Sequence, residues 1–308
     1  MIQPSPFDAR STADRVLAGI DLSGRRFVVT GCTSGIGFET MSSLAANGAQ
    51  VIGLARSLPA ARAACAKVAP TCTAVECDLS DLDSVLHAAA TIRAQNAPVD
   101  AIIANAGVAC LPGLLTRYGV EMQFLVNHLG HFALVNELTP VVRNGTGRIV
   151  LVSGAPRLRA SSAEGIMFDN LDGSRFYDPA AFHLQSKLAV AIYARELARR
   201  LHGRGIAVNA ADPGATKGTQ LHRHMRRSAL LHRVARLFRK NPQRAAATQT
   251  LLAASPRVAG ASGELWADCR IVDAPACLQD TELAQRLWDV SASIIDAHTD
   301  SGKLRAAA

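Results

Sequence analysis

RFVVTGCTSGIG, residues 26–37, is the stretch on which the fold turns. Phe27, Val28, Val29 and Thr30 form a short apolar, β-branched run, the kind that fills a strand buried on both faces. The run passes without a linker into Gly31-Cys32-Thr33-Ser34-Gly35-Ile36-Gly37. Helical periodicity follows in ETMSSLAANG, whose terminal Gly48 suits a helix C-cap. Glycines between a strand and a helix allow a tight turn and close approach of backbone to a pyrophosphate. The helix N-terminus favours the negative charge brought there. Gly31, Thr33, Ser34, Gly35, Ile36 and Gly37 are therefore expected to hold a dinucleotide.

Working outward, the same alternation repeats. RFVVTG, QVIGLAR, TAVECDL, VDAIIANAG, GRIVLVSG and GIAVNAADPG read as strands, and Ala/Leu-rich segments with helical spacing lie between them. GELWADC, near residue 263, is a candidate last strand. Buried strands separated by helices predict an α/β fold, a doubly wound, Rossmann-like parallel sheet in one domain. Residues 24–308 are assigned to that domain and residues 1–23 to an N-terminal extension packed on it. The irregular stretches 155–180 and 215–240 are expected to form substrate loops or lids.

Composition narrows the function classes. The 308 residues are 49% hydrophobic and 19% charged, ample for one large core. Nothing resembles a secretory leader, and no apolar run reaches the roughly 18 residues of a membrane span, so a cytoplasmic protein without stable membrane insertion is expected. The seven cysteines (32, 65, 72, 77, 110, 269 and 277) are scattered, with no metal-ligand spacing, and read as reduced thiols with no metal site. The net charge of +8 has a single source: eight Lys/Arg and no acid lie between Lys217 and Lys240, against 25 bases and 25 acids elsewhere. Leu230, Leu231, Val234, Leu237 and Phe238 recur there at helical spacing. This basic amphipathic segment suits a solvated face, an anionic or carrier-bound substrate, or a membrane surface. No nucleic-acid recognition motif accompanies it.

The second strand ends in Leu54-Ala55-Arg56 without an acid. An acid there would bind ribose hydroxyls, whereas an arginine accommodates a 2′-phosphate, so NADP(H) is favoured over NAD(H). Asp78-Leu79, ending the third strand, is placed to meet the adenine or to cap the next helix.

TGCTSGIG, ANAG at 104–107, NHLGHF at 127–132, RIVLVSG at 148–154, SK at 186–187 and DPG at 212–214 occur in this order. Together they make the chain resemble a short-chain dehydrogenase/reductase, most similar to the retinol-dehydrogenase-like branch. The resemblance covers nearly the whole chain. It implies a seven-stranded sheet in the order 3-2-1-4-5-6-7, a homo-dimer or tetramer, and a small-molecule substrate. Asn105, Ala106, Gly107, Pro213, Gly214 and Thr216 join the cofactor-binding set by the same resemblance.

In that family Asn, Ser, Tyr and Lys do the chemistry. Serine and tyrosine hydroxyls polarise the substrate oxygen, lysine holds the nicotinamide ribose and lowers the tyrosine pKa, and asparagine holds a relay water. Asn127 and Lys187 match. The tyrosine position, four residues before the lysine, is His183. The serine position, second in a strand-ending Ser-Ser, is Gly154, with Ser153 before it. Strand alternation points Ser153 to the opposite face unless the loop shifts. Tyr177 matches a non-catalytic tyrosine, and His128 and His131 match structural histidines.

Residues four apart on a helix share a face, so His183 and Lys187 point at one site. A nearby ammonium disfavours imidazolium, leaving His183 a better general base than acid. Three readings follow. The protein transfers hydride on a bulky or apolar alcohol or carbonyl, or on an activated C=C bond, with His183 replacing tyrosine. Alternatively it runs non-redox chemistry (dehydration, isomerisation, cyclisation or acyl transfer) from His183, or it is a catalytically inactive subunit.

Overall fold

The computed structural model describes residues 5–68, 71–154, 165–216 and 240–306. The segments 155–164 and 217–239 fall outside them, and with these go most of the expected lids and nearly all of the basic segment.

A short helix α1 (Ala13–Leu17) precedes strand β1 (Arg26–Thr30), helix α2 (Gly35–Ala46), strand β2 (Gln50–Ala55), helix α3 (Leu58–Cys65) and strand β3 (Cys72–Glu76). Helix α4 (Leu82–Arg93), strand β4 (Ala101–Ala104) and a small hairpin of β5 (Thr116–Arg117) and β6 (Val120–Glu121) follow. Next come α5 (Met122–Phe124), a π-helical turn (Leu125–Leu129) and α6 (Gly130–Leu138). Strand β7 (Arg148–Val152), the long α7 (Pro179–Leu201) and β8 (Ala207–Asp212) lead to α8 (Pro242–Ala245) and α9 (Ala247–Ala254). The chain closes with β9 (Leu265–Ala267), β10 (Arg270–Ile271) and α10 (Thr281–Ala306).

The main sheet runs β10-β9-β8-β7-β4-β1-β2-β3, parallel except for the β9–β10 pair. Counted along its parallel strands this is the expected order 3-2-1-4-5-6-7, and GELWADC supplies the seventh. The order reverses between β1 and β4, so the ends of these strands splay apart and leave a crevice there.

The buried strands alternate between two cores, which is why their sequences read as unbroken apolar runs. Val28, Ile52, Leu54, Ile102, Ile149 and Leu151 face α4, α6, α7 and α10. Phe27, Val29, Val51, Ile103 and Val150 face α1, α2, α3 and α9. The N-terminal segment contributes Val16, Leu17 and Leu22 to the second core, and Thr12 caps α1 through Arg15 N. Among the described residues no helix is long and apolar enough to cross a membrane.

Candidate active site

The glycine loop has the backbone its sequence demands. Gly31 and Gly35 have φ of +71° and +59°, a region that L side chains rarely adopt. Gly37 has a different constraint: a Cβ there would lie 2.2 Å from the Gly31 carbonyl oxygen and 2.5 Å from Asn105 Nδ2. Helix α2 starts at this point with Ser34 as N-cap, yet its side chain caps no amide and the first turn holds no acid. The orphan N–H groups and positive dipole end of α2 therefore face the crevice without an internal anion. Thr33, Ser34, Gly35, Ile36 and Gly37 all line it.

At the adenosine side, Arg56 lines the cavity from the end of β2. It is exposed and makes no hydrogen bond or ion pair among the described residues. Asp78 lines the same wall, but its Oδ1 accepts from Ser80 N (2.9 Å) and Ser80 Oγ (2.7 Å). The cap of α4 is Asp81, which accepts from Asp83 N, so the capping role weighed for Asp78 belongs three residues on. Leu79 is buried, and its carbonyl oxygen would sit 2.5 Å from a Cβ on Gly130, so only a glycine lets the start of α6 pass.

The ANAG segment is held from behind by Thr30, at the head of TGCTSGIG, and by Gln249, which no motif announced. Thr30 Oγ1 accepts from Asn105 N (2.9 Å) and Ala106 N (3.0 Å). Asn105 Nδ2 donates to Thr30 O, and its Oδ1 accepts from Gln249 Nε2 at 3.2 Å. Gln249 also donates to Thr40 Oγ1, so α9 ties this segment to α2. His131 donates through Nδ1 to the Asn127 carbonyl (3.0 Å), which leaves Nε2 to accept from the Thr30 hydroxyl (2.9 Å). His128 meets Ser291 Oγ at 2.9 Å and packs against Phe124. Burial lowers the pKa of His128 to about 3 and of His131 to about 4; a repulsive His131 adds to the first. Both are core residues.

Asn127 sits in the π-turn, and its carboxamide is fully engaged. Oδ1 accepts from Val108 N (2.8 Å), and Nδ2 donates to Val108 O (2.9 Å) and to Ser186 Oγ (2.9 Å). Ser186 in turn donates to the His183 carbonyl at 2.7 Å. The Val108 carbonyl also receives His183 Nδ1 at 3.2 Å. One backbone carbonyl thus orients both Asn127 and His183. Lys187 is buried one turn along α7 and donates from Nζ to Val152 O at 2.9 Å, and a Cβ on Gly107 would lie 3.5 Å from that Nζ. His183, Lys187 and Gly107 share one cavity wall.

Ser153 and Gly154 divide the end of β7 differently. The Ser153 hydroxyl donates to the Lys187 carbonyl at 2.7 Å, so its proton serves α7. Gly154 lines the cavity, and a Cβ built there meets nothing within 4 Å. Among the described residues, then, nothing fills the space beside Gly154 and none requires a glycine there. Pro213, Gly214 and Thr216 close the far wall, where Gly214 N donates to Asp212 Oδ1 and Thr216 Oγ1 to Gly214 O.

The whole cavity measures about 810 Å³, large enough for a dinucleotide's reactive half and a substrate. Leu111, Leu115, Met122 and Val126 make its outer wall. Leu114, Leu115 and Phe176 are 41%, 54% and 56% exposed, and a Cβ on Gly173, in the loop that carries Phe176, would lie 2.7 Å from Leu114 Cδ1. Tyr177 hydrogen-bonds to Leu111 O at 2.8 Å, and burial with the nearby Glu121 carboxylate pushes its pKa up to about 12. It braces the mouth and is already committed to a carbonyl. Among the described residues no cluster of ligating side chains could hold a metal.

The short chain dehydrogenase family matches residues 25–161, from the glycine loop to just beyond Gly154. A probable oxidoreductase of Streptomyces lividans is 38% identical over 307 residues, covering 90% of this chain and 100% of that protein. Human retinol dehydrogenase 13 is 36% identical over 294 residues, covering 91% and 87%. In structure, an uncharacterized protein from Mycobacterium paratuberculosis superposes with a TM-score of 0.72 at 28% identity, covering 90% and 95%. The fold and site define a Rossmann-type oxidoreductase. More particularly, the chain belongs to the short-chain dehydrogenase/reductase family, with retinol dehydrogenases among its relatives.

Proposed function

We propose that this protein is an NADP(H)-dependent oxidoreductase that oxidises a bulky, apolar alcohol, with His183 as the general base in place of tyrosine. The observation that carries this reading is the bond from His183 Nδ1 to the Val108 carbonyl. A carbonyl can only accept, so Nδ1 bears the ring proton, and the lone pair of the neutral ring lies at Nε2. The neutral ring held in that tautomer can take a proton at Nε2, and the protonated ring keeps the same bond to Val108.

The residues fit a nicotinamide dinucleotide. The glycine loop and the uncapped start of α2 would take the pyrophosphate, Arg56 the 2′-phosphate, Asn105-Ala106-Gly107 the central stretch, and Lys187 the nicotinamide ribose. When bound, the oxidised nicotinamide supplies the hydride acceptor. Within the protein, His183 Nε2 takes the hydroxyl proton as the carbinol C–H bond breaks and the carbonyl forms. Asn127 holds the Val108 carbonyl that orients the ring. With no hydroxyl at 154, the developing oxyanion lacks one family donor, a deficit of about 10²–10³ in rate for a typical donor. Oxidation of the alcohol and reduction of the carbonyl share one transition state, so that deficit falls on both directions alike. The void at Gly154 and the apolar mouth support a substrate with a wide, greasy group near the reacting carbon.

The reading is tested by incubating the protein with NADP⁺ or NAD⁺ and primary and secondary alcohols of increasing apolar bulk, following reduced nicotinamide by absorbance. Turnover that rises with bulk and prefers NADP⁺ is expected. Failure of either nucleotide to bind, or binding without turnover of any alcohol, contradicts it.

A further inference from the structure

Outside the cleft, a nest of sulfur lies between β2, β3 and the two helices α2 and α3. Around Gly53, in the middle of β2, Met41 Sδ, Cys32 Sγ and Cys65 Sγ would each stand 3.0–3.1 Å from an added Cβ. Cys65 ends α3, and Cys72 opens β3. Their sulfurs are 2.7 Å apart, and Cys72 Sγ is 3.4 Å from Met41 Sδ. Cys65 is buried and Cys72 half-buried. None of Cys32, Cys65 and Cys72 lines the cofactor cavity.

We propose that Cys65 and Cys72 are a modification site: a thiol pair that closes to a reversible disulfide and locks the β2–α3–β3 unit while leaving the nucleotide cleft open. The sulfurs already lie well inside the separation of two unbonded sulfur atoms, and the bond of about 2.05 Å needs only a small further approach. The link joins the end of α3 to the start of β3. Arg56 and Ser57 lie at the other end of α3, Cys77 and Asp78 at the other end of β3, and these line the cavity.

A low-molecular-weight disulfide such as oxidised glutathione is the oxidant. The Cys72 thiolate, on the more accessible side, attacks one glutathione sulfur, forming a mixed disulfide and expelling one thiolate. Cys65, as thiolate, then attacks Cys72 Sγ and expels the second. The two cysteine protons end on the two released thiols, so one disulfide is reduced as one is made. Burial and the neighbouring thiols push the Cys72 pKa well above its ordinary value, so thiolate is scarce. Oxidation should therefore be slow at neutral pH and accelerate about tenfold per pH unit.

The test is peptide mapping of the folded protein after incubation with oxidised glutathione. Trypsin releases Cys65 in residues 63–67 and Cys72 in residues 68–93, the latter also carrying Cys77. A cross-linked pair of these peptides is expected, formed faster at higher pH, retained in Cys77→Ser and absent in Cys72→Ser. The oxidised protein should melt higher than the reduced one and bind NADPH within about twofold of it. A link through Cys32 or Cys77, single glutathionylation without closure, or persistent free thiols at both positions overturns the site. A large loss of NADPH affinity on closure overturns the claim that the cleft stays open.

Discussion

The two ends of the cleft are built on different terms. At the nucleotide end the residues that shape the backbone are fixed: Gly37 by the Gly31 carbonyl, Gly31 and Gly35 by positive φ, and Asn105 by Thr30 and Gln249. At the proposed chemical end stand Gly154, where an added Cβ would meet no described atom within 4 Å, and a histidine bound to Val108. The first end tolerates almost no change; on the proposed reading, the second has changed within an intact frame. The lesson is that a scaffold's cofactor grip and its proton chemistry can vary independently when different elements carry them.

The harshest way to break this contrast is Gly37→Ala. Its Cβ would overlap backbone, so NADPH affinity should fall at least about 100-fold by fluorescence titration. Retained affinity would show that the loop is not fixed as described. Next comes Arg56→Ala. Loss of one charge-assisted contact, worth about 1.5–3 kcal/mol, should weaken NADPH about tenfold or more while leaving NADH nearly unchanged. Equal losses for both nucleotides would remove Arg56 from the 2′-phosphate.

Acid should strain the frame as a whole. His128 and His131 are held neutral by burial, with pKa lowered from 6.5 to about 3 and about 4. Below pH 6.5 the unfolded chain binds protons that the folded one refuses, so stability falls as pH drops toward these values. The loss approaches about 1.4 kcal/mol per pH unit for each histidine, and melting temperature should decline steadily from pH 7 to 5. A His131→Asn variant should flatten that slope; an unchanged slope would assign it to other groups. The smallest effect belongs to Gly154→Ser. The Cβ meets open space, so stability and nucleotide affinity should move little, within about 0.5 kcal/mol of stability. A large destabilisation would mean that the void is already filled.

The fold was legible because its signals are local. Apolar strand runs and helix spacing repeat with the regular rhythm of a doubly wound sheet, while the strand order came from the family resemblance. ANAG and DPG came from the family resemblance, and most of their residues lie at strand ends on the cavity wall. What escaped was whatever depends on a contact between distant segments. Gln249 reaches Asn105 across 144 positions, and nothing in ATQTLLAA marks that glutamine. The π-turn around Asn127 and the shared Val108 carbonyl are likewise invisible, because a backbone acceptor has no sequence signature. Ser153 was half-legible. Strand alternation pointed it to the opposite face, yet Ser153 lines the cavity beside Gly154, and the recipient of its proton, the Lys187 carbonyl, came only with the packing of α7 on β7. The exposed Leu115 reaches the cavity wall, and Leu114 reaches the loop of Gly173, only through the fold.

The central claim is that binding and proton transfer reside in separate residues, with His183 carrying the second. The most direct measurement is His183→Ala, assayed in parallel for NADPH affinity and for kcat on the best alcohol. The expected result is an affinity within about threefold of wild type, with kcat reduced about 10²–10⁴-fold as for loss of a general base. An unchanged kcat, or a loss of affinity that matches the loss of rate, would contradict it.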